Sequence, residues 1–420
     1  MRFDPFRVSL FDLLAPLAKT VDLMSAEVAQ HHERVAYLCL RLAQELNWSE
    51  ARKCEAVTAA LLHDIGAFSI LDRLALLRFE EEDTERHCIA GALLLADFPP
   101  LANAATIVRH HHANWRNGPE PGGDPTVPPA SYLIYLADRA AVLLDPQKPV
   151  LAQAAAIAAR IREGRGTRFA PEMADAFASL ARRDYFWLEA ATFSLEQLLK
   201  RDCSGQDVSL GLDELLAFAK LLCRIIDFKS EFTATHSSGV AAVAVALGLA
   251  VGFSDAESKQ LQVAAFLHDL GKLAVPAEIL EKAGRLTDEE RFVMRTHVFH
   301  TYRILDPIPM LRQISDWGSL HQERLNGSGY PFGRQAADIP LGARILAVAD
   351  VFTALAENRP YRIAMSLEEV TAVLREMAAE NELDESLVER LLADLPVYDR
   401  AREAAQRLAS QEYQSFHLAL

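Results

Sequence analysis

The sequence predicts an all-α protein built from two related helical units, and three observations lead to this prediction. Apolar residues recur at helical spacing along most of the 420 residues, as in "HHERVAYLCLRLAQEL" and "LEEVTAVLREMAAE". Strand-like alternation of apolar and polar residues between turns is nearly absent. The third observation is an internal repeat of histidine and aspartate positions, which indicates that a helical unit has been duplicated.

The boundary between the two units is predicted near residue 200. A chain of 420 residues suggests about two or three domains. The central stretch "RDCSGQDVS" (201–209) is polar and contains turn-forming residues. We therefore expect an N-terminal domain over residues 1–200 and a C-terminal domain over residues 201–420.

The composition argues against several classes of function. A net charge of −15 is unsuited to a general binder of nucleic-acid polymers or of anionic membranes, although it is compatible with a local basic pocket. The apolar run at 239–253 is too short to span a membrane, so we expect a buried, alanine-rich core helix there. Five cysteines without a CxxC pair, and a start without a signal-peptide pattern, favour the cytoplasm.

The repeat is defined by the segments "LLHDIG" (61–66) and "FLHDLG" (266–271). In each half, one histidine lies 32 residues before the histidine of this segment, and two more follow it, 24 residues apart. An apolar helix that ends in an aspartate closes each half. The aligned positions are His31, His63, Asp64, His87, His111 and Asp138 in the first half and His236, His268, Asp269, His297, His321 and Asp350 in the second.

Four imidazoles and two carboxylates from separate helices are typical of a metal site. Mixed nitrogen and oxygen ligands suit Fe, Mn, Zn, Co or Ni better than Ca or Mg. The adjacent His268 and Asp269 diverge by about 100° on a helix, which favours two neighbouring ions bridged by the carboxylate. Two ions about 3.5–4 Å apart activate a water molecule and hold the attacking and leaving oxygens of a phosphoryl displacement. The pattern therefore predicts hydrolytic chemistry.

The C-terminal half resembles the HD-GYP family of cyclic-dinucleotide phosphodiesterases. The resemblance runs from about residue 212 to 390 through "HSSGV", "HDLGKLAVPAEIL", "RTHVFHTYRIL", "HQERLNGSGYP" and "ILAVADVFTALAENRPYR". The N-terminal half resembles the HD superfamily more generally, with "HHANW" in the place of HHExW. The expected architecture is thus two tandem HD-type helical domains, the second with a Gly-Tyr-Pro loop.

The resemblance implies a role for each matched residue of the C-terminal half. Two divalent transition-metal ions, Fe, Mn or Ni, would be held by His236, His268, Asp269, His297, His321 and Asp350, with Asp269 as the bridge. Asp269 and Lys272 would be catalytic, the lysine contacting phosphate or assisting the leaving oxygen. The substrate would be bound by Lys272, Tyr330, Arg359 and Arg362, since planar guanidinium groups bind phosphate through two hydrogen bonds.

The implied reaction is hydrolysis of a bacterial cyclic dinucleotide to the linear dinucleotide. The substrate would be cyclic di-GMP or 3′,3′-cyclic GMP-AMP, and the tandem layout with "THVFHTYRIL" resembles a subgroup linked to the latter. The resemblance also makes a diguanylate-cyclase-type partner and a homodimer reasonable expectations. Two alternatives stay open, namely a catalytically silent receptor or scaffold for the nucleotide and a phosphohydrolase that works through the N-terminal site.

Three positions depart from the family pattern. Gln322 stands where the family has the second histidine of HHE, and Phe232 stands where some members carry a glutamate for a third ion. Both departures favour two ions over three, and Gln322 is the reason to keep the receptor alternative. Asn326 replaces the usual aspartate of the loop, and we expect this change to be milder.

The N-terminal half keeps more potential ligands but lacks the substrate-binding motifs. Glu27, four residues before His31, shares a helix face with it. The candidate second metal site comprises Glu27, His31, His63, Asp64, His87, His111, His112 and Asp138. Ala67 stands in the place of the lysine, and neither a GYP loop nor an "RPYR" segment is present. We therefore expect this half to be regulatory, dimerising or sensing.

Overall fold

The computed structural model describes residues 6–22, 30–67, 76, 84–117, 126–192, 195–203, 208–228, 235–280, 282, 284–358 and 363–420. Contacts divide the chain into two compact units. One unit is Ser9–Ser209, and the other is Leu210–Ala419 together with residues 6–8. The division falls at residue 209, nine residues beyond the expected boundary at 200.

The prediction of an all-α fold is confirmed. The described residues are mostly helical, and two short strands, β1 (Val8–Ser9) and β2 (Ser209–Leu210), form a two-stranded sheet. The helices of the N-terminal unit are α1 Leu10–Asp22, α2 His31–Glu45, α3 Glu50–Leu62, α4 Glu85–Ala96, α5 Ala102–Arg109, α6 Pro129–Val142, α7 Val150–Glu163, α8 Pro171–Leu180, α9 Asp184–Ala190 and α10 Leu195–Cys203. Those of the C-terminal unit are α11 Leu212–Asp227, α12 His236–Ala250, α13 Asp255–Leu267, α14 Ala277–Leu280, α15 Asp288–Leu305, α16 Arg312–Ser319, α17 Leu341–Ala356, α18 Leu367–Ala379, α19 Glu385–Ala393 and α20 Leu395–Ala419.

The sequence repeat is also a repeat of helices. Helices α2 and α12 both have 15 residues, and α3 and α13 both have 13. A three-residue 3-10 turn, Pro99–Leu101 or Pro309–Leu311, leads into an eight-residue helix in each unit. The His-Asp pair follows the last residue of α3 and of α13. Equal helix lengths explain why the histidine spacing is the same in both halves.

Side-chain caps fix where the helices that carry the ligands begin. Ser49 and Ser254 precede α3 and α13, and each hydroxyl accepts a hydrogen bond from the backbone amide three residues later. Thr287 caps α15 in the same way, and the Glu290 carboxylate accepts a hydrogen bond from the Thr287 amide. The caps therefore hold His63 and His268, directly after α3 and α13, and His297, within α15, in a defined register.

The apolar run predicted as a core helix is α12, and its central residues are buried. Val240, Val243 and Leu247 are all fully inaccessible to solvent. Helix α12 packs against α13, α17 and α20, so apolar residues cover most of its circumference. Within the described part of the chain, every helix is too short or too polar to cross a membrane.

The glycine of each His-Asp-x-Gly segment allows two backbones to approach closely. A Cβ atom at Gly271 would lie 1.9 Å from the carbonyl oxygen of His297, and one at Gly66 would lie 2.2 Å from that of His87. No side chain fits such a gap. The segment after α13 therefore passes directly against α15, which brings Asp269 close to His297.

We predict that Gly271→Ala destabilises the C-terminal unit by about 1–3 kcal/mol, because the added methyl group collides with backbone rather than with a movable side chain. Denaturant unfolding of the full chain measures the effect. Gly284→Ala is the matched control, since a Cβ atom there has open space, and we expect a change within about 0.5 kcal/mol. An unfolding midpoint shared by Gly271→Ala and the unmodified chain would contradict the argument.

Candidate active site and metal centres

The six residues predicted as metal ligands in the C-terminal half lie together in one buried cluster. Asp269 is central, with Oδ2 3.1 Å from His268 Nε2 and Oδ1 3.3 Å from His297 Nε2. Asp350 Oδ1 lies 3.1 Å from His236 Nε2. The ring of His321 meets that of His268 edge-on, with 4.8 Å between the centroids. All six residues are at least nine-tenths buried.

Backbone carbonyl groups set which ring nitrogen of three histidines faces the cluster. Nδ1 of His268, His297 and His321 lies 2.6–2.7 Å from the carbonyl oxygen three residues earlier. Because a carbonyl oxygen only accepts, each Nδ1 carries the hydrogen. In the neutral form of each ring, Nε2 therefore presents a lone pair to the cluster.

These Nε2 atoms test whether the cluster fits metal ions. All three are buried, and among the described residues none has a hydrogen-bond partner. A buried polar atom without a partner costs about 1–3 kcal/mol, so three of them next to carboxylates require an explanation. Imidazole nitrogens and carboxylate oxygens are suitable ligands for divalent transition metals. The residues fit such ions.

The charges of the cluster suit cation binding as well. Burial alone would raise the pKa of Asp269, but His268 and Lys272 hold it well below its usual range. The pKa of Asp350 is likewise low, because the hydrogen bond and charge of His236 outweigh burial. Burial, followed by the charge of His268, lowers the pKa of His321 to about 3. The cluster thus offers two carboxylates and a neutral imidazole at neutral pH.

The Gly-Tyr-Pro loop is held by Glu323, and Gln322 supports a ligand. The Glu323 carboxylate accepts from the backbone amides of Phe332 at 2.7 Å and Arg334 at 2.8 Å. Gln322 Nε2 donates to Asp350 Oδ2 at 3.1 Å. A Cβ atom at Gly329 would lie 2.4 Å from the Glu323 Cα, so the loop folds back onto this segment only with glycine there. The polar, glycine-rich segment 321–331 therefore connects the Gly-Tyr-Pro loop to the metal-ligand cluster.

A pocket of about 550 Å³ opens beside the cluster and is rich in cations. Its lining includes His236, Asp269, His297, Gln322 and Asp350 together with Lys272, Lys282, Arg285, Arg291, Arg324 and Tyr330. Lys272 Nζ lies 2.5 Å from Asp269 Oδ2. Burial raises the pKa of Tyr330 to about 12, and its ring packs beneath the Arg295 guanidinium, 4.4 Å from ring centroid to Cζ. The chain therefore contains a local basic pocket despite its net negative charge.

Four residues singled out in the sequence lie outside the described part of the chain. They are Glu27, Phe232, Arg359 and Arg362. Their predicted roles stay predictions.

The N-terminal unit contains a second cluster made of the other seven predicted ligands. His31 Nε2 lies 3.3 Å from Asp138 Oδ1, and His63 Nε2 lies 3.4 Å from Asp64 Oδ2. Asp64 Oδ1 lies 3.4 Å from Nε2 of both His87 and His111. Nδ1 of His63 and of His111 is bonded to the carbonyl oxygen three residues earlier, as in the C-terminal unit. The remaining member, His112, has its ring 4.2 Å from that of His111.

Two features distinguish the surroundings of this second cluster. The fully buried Arg139 donates to Asp138 Oδ2 through Nη2 at 2.6 Å and to the Leu76 carbonyl at 2.8 Å. Cys88 Sγ lies 3.7 Å from His87 Nε2. Burial raises the pKa of the Cys88 thiol, but the charge of His111 and hydrogen bonds to His111 and His87 outweigh burial and lower it to about 6. The sequence interpretation assigned neither residue to the site.

Comparison with known proteins identifies both units. Models described as "HD domain" match residues 28–161 and 220–387. The chain is 31% identical over 403 residues to a 3′3′-cGAMP-specific phosphodiesterase of Vibrio cholerae, a match that covers 94% of this chain and 93% of that protein. The chain belongs to the HD-GYP family. The family assignment made from the sequence is thereby confirmed.

Two further similarities accompany this assignment. A cyclic di-GMP phosphodiesterase of Thermotoga maritima is 35% identical over 159 residues, or 37% of this chain and 43% of that protein. A crystal structure of a cyclic GMP-AMP-specific phosphodiesterase of V. cholerae superposes with a TM-score of 0.64 at 21% identity, covering 93% of this chain and 98% of that chain. The latter likeness supports the tandem HD-type helical fold.

A chain of hydrogen bonds that was not predicted from the sequence supports the HD-GYP site. His236 Nδ1 lies 2.8 Å from Glu357 Oε1, and Gln406 Nε2 donates to Glu357 Oε2 at 2.8 Å. Arg402 in turn donates to Gln406 Oε1 at 2.5 Å. Gly239 gives Gln406 room, since a Cβ atom there would lie 3.0 Å from Gln406 Nε2. Helix α20 therefore orients the first ligand of the HD-GYP cluster.

We predict that Glu357→Ala weakens divalent-ion binding to the HD-GYP site about 10- to 100-fold, as expected when a carboxylate that orients a histidine ligand is removed. Equilibrium titration of the metal-free chain with Mn(II) measures the dissociation constant. Glu357→Gln keeps a hydrogen-bond acceptor and should lose less affinity. Exposed Glu380→Ala serves as the control and should bind like the unmodified chain. An unchanged affinity for Mn(II) in Glu357→Ala would show that the contact between Glu357 and His236 does not contribute to metal binding.

Proposed function

We propose that the C-terminal unit is a metal-dependent phosphodiesterase that hydrolyses a cyclic dinucleotide to the linear dinucleotide in the cytoplasm. One observation carries the proposal. Three buried Nε2 atoms, which have no hydrogen-bond partner among the described residues, and two carboxylates of low pKa lie beside a pocket that five Lys and Arg side chains line. A cyclic dinucleotide carries two phosphate charges, which such cations would bind. A volume of about 550 Å³ is within the range of small-molecule sites, roughly 300–1,000 Å³.

The proposed ligand assignment follows the cluster. One ion would be held by His236, His268, Asp269 and Asp350, and a second by Asp269, His297 and His321, as the family resemblance implies. Ligand atoms of His236, His268 and Asp350 lie within 4.8 Å of one another, and Asp269 Oδ1 lies 3.3 Å from His297 Nε2. When bound, the ions supply Lewis acidity at the phosphodiester. Gln322 supports the assignment of two ions, because its amide donates to Asp350 instead of offering a further imidazole.

The chain's own residues position the substrate and provide a proton. In the reaction, water adds to phosphorus, one phosphorus–oxygen ester bond breaks, and the leaving oxygen takes up a proton. Lys272 Nζ is the proton donor in this scheme, since it lies within the pocket next to Asp269. Arg285 and Arg324 would bind the second phosphate, and Tyr330 would contact a base at the loop edge. Arg359 and Arg362 complete the proposed phosphate contacts.

Of the two candidate substrates, 3′3′-cGAMP has the stronger support. The V. cholerae relative that matches nearly the whole chain bears that specificity in its name, whereas the T. maritima cyclic di-GMP relative matches 37% of the chain. The receptor alternative gains no support, because the reported relatives are all named as phosphodiesterases.

We propose a regulatory role for the N-terminal unit. Buried Ala67 occupies the position that Lys272 has in the other unit, so no proton donor stands there. The Arg139 guanidinium is bonded to Asp138 and to a backbone carbonyl. Both features argue against the alternative that turnover depends on the N-terminal site. A homodimer and a diguanylate-cyclase-type partner stay predictions made from the resemblance.

We predict that the chain loaded with Fe(II), Mn(II) or Ni(II) converts 3′3′-cGAMP, and cyclic di-GMP more slowly, to linear product. Chromatography of the reaction mixture measures the conversion. His268→Ala removes a ligand and should abolish turnover, whereas the matched His63→Ala, at the equivalent position of the other unit, should retain it. The opposite pattern would place the reaction in the N-terminal unit. Binding of either nucleotide without product under every metal would leave a receptor.

We predict that Lys272→Met lowers kcat by roughly 10²- to 10⁴-fold, the range for loss of a general acid. Metal content should stay unchanged, because Lys272 contacts Asp269 and is not one of the proposed metal ligands. Lys259→Met, on the exposed side of α13, is the control and should keep full activity. If Lys272→Met lost bound metal and activity to the same extent, the role of Lys272 would be to position Asp269 and not to donate a proton.

A further inference from the structure

Two of the differences between the N-terminal cluster and its counterpart each add a residue type that can bind a metal ion. Val298 follows His297 in the C-terminal unit, whereas Cys88 follows His87. Gln322 follows His321, whereas His112 follows His111. The two additions flank the same histidine pair, and their donor atoms come together with those of His87 and His111. Each of the four residues offers one ligand atom, and these atoms all lie within 4.8 Å of one another.

The distances within this group match the dimensions of a zinc site. Zinc–sulfur and zinc–imidazole bonds of about 2.3 and 2.05 Å at tetrahedral angles place sulfur about 3.5 Å from nitrogen, and two nitrogens about 3.3 Å apart. In the structure, Cys88 Sγ lies 3.7 Å from His87 Nε2. His87 Nε2 and His111 Nε2 lie 3.1 Å apart. These two donor pairs are therefore close to the separations that zinc requires, and the remaining donors lie within 4.8 Å of them.

The chemistry of the donors selects the ion. A thiolate with imidazoles is a soft donor set that favours zinc, whereas the all-nitrogen and oxygen set of the C-terminal unit suits iron or manganese. Cys88 Sγ also lies 3.5 Å from His111 Nδ1, which is bonded to the Val108 carbonyl. His111 is thus held with Nε2 towards His87. Asp64 Oδ1, 3.4 Å from both Nε2 atoms, adds a negative charge that offsets the charge of a dication.

We propose that His87, Cys88, His111 and His112 form a zinc site in the N-terminal unit, distinct in donor type from the site of the proposed reaction. Four protein ligands leave no open position, which is the arrangement of a structural zinc site. The ion would join α4 to the segment that follows α5. This inference does not depend on the reaction proposed for the C-terminal unit.

Cobalt(II) substitution tests the proposal, because thiolate-bound cobalt absorbs in the near ultraviolet and imidazole- or carboxylate-bound cobalt does not. The metal-free full-length chain is titrated with Co(II), and the sulfur-to-cobalt charge-transfer band is measured. We expect the band in the unmodified chain and its loss on addition of zinc. Cys88→Val, which copies the residue at position 298, should lack the band and bind zinc at least about 100-fold more weakly. Far-ultraviolet circular dichroism checks that the variant folds.

Cys223→Ser is the matched control. Its sulfur is also buried and lies near the other cluster, 3.3 Å from Asp227 Oδ2, so the band should persist in this variant. His112→Gln, which copies position 322, should retain the band with weaker zinc binding, and it provides a test if Cys88→Val does not fold. Absence of the band from the unmodified chain, or its survival in Cys88→Val, would overturn the proposal. These measurements do not use turnover, so failure of the proposed reaction leaves them interpretable.

Discussion

The hydrogen bond from a histidine Nδ1 to the carbonyl three residues earlier is the interaction on which both clusters depend. The last carbonyl groups of a helix lack amide partners from a following turn. His63 and His268 stand at such helix ends and bond to the carbonyls of Ala60 and Ala265. Each bond fixes the tautomer and directs Nε2 inward, so the position of a ligand is set by where its helix ends. The caps and glycine contacts that place these helices therefore place the donors too.

The sequence was sufficient for the helical class, the duplication and the grouping of the donors. These follow from spacing, because equal helices and turns between His31 and His63 and between His236 and His268 preserve the same register. Contacts between distant segments were not predictable in this way. Gln406 reaches Glu357 across 49 positions, and no periodicity relates them. Glu323 is a related case, since its carboxylate binds the amides of Phe332 and Arg334, 9 and 11 positions later.

The distribution of charge separates two kinds of phosphate ligand. The chain as a whole carries a net charge of −15, which repels an extended polyanion. The pocket collects Lys272, Lys282, Arg285, Arg291 and Arg324 within one concave surface. A small dianion that enters the pocket meets these cations at short range, where solvent screens them less. Overall acidity and a local basic pocket therefore act together to favour a small phosphate ligand over nucleic acid.

The hydrogen bond between Gln406 and Glu357 extends the C-terminal domain beyond the segment that matches the HD domain. The HD domain match in this half ends at residue 387, and α20 begins at Leu395. A fragment cut at that limit would contain every residue assigned to the ions and yet lack the helix that braces His236 through Glu357. A fragment that keeps the complete site must therefore include α20, which lies beyond the part of the chain that matches the HD domain.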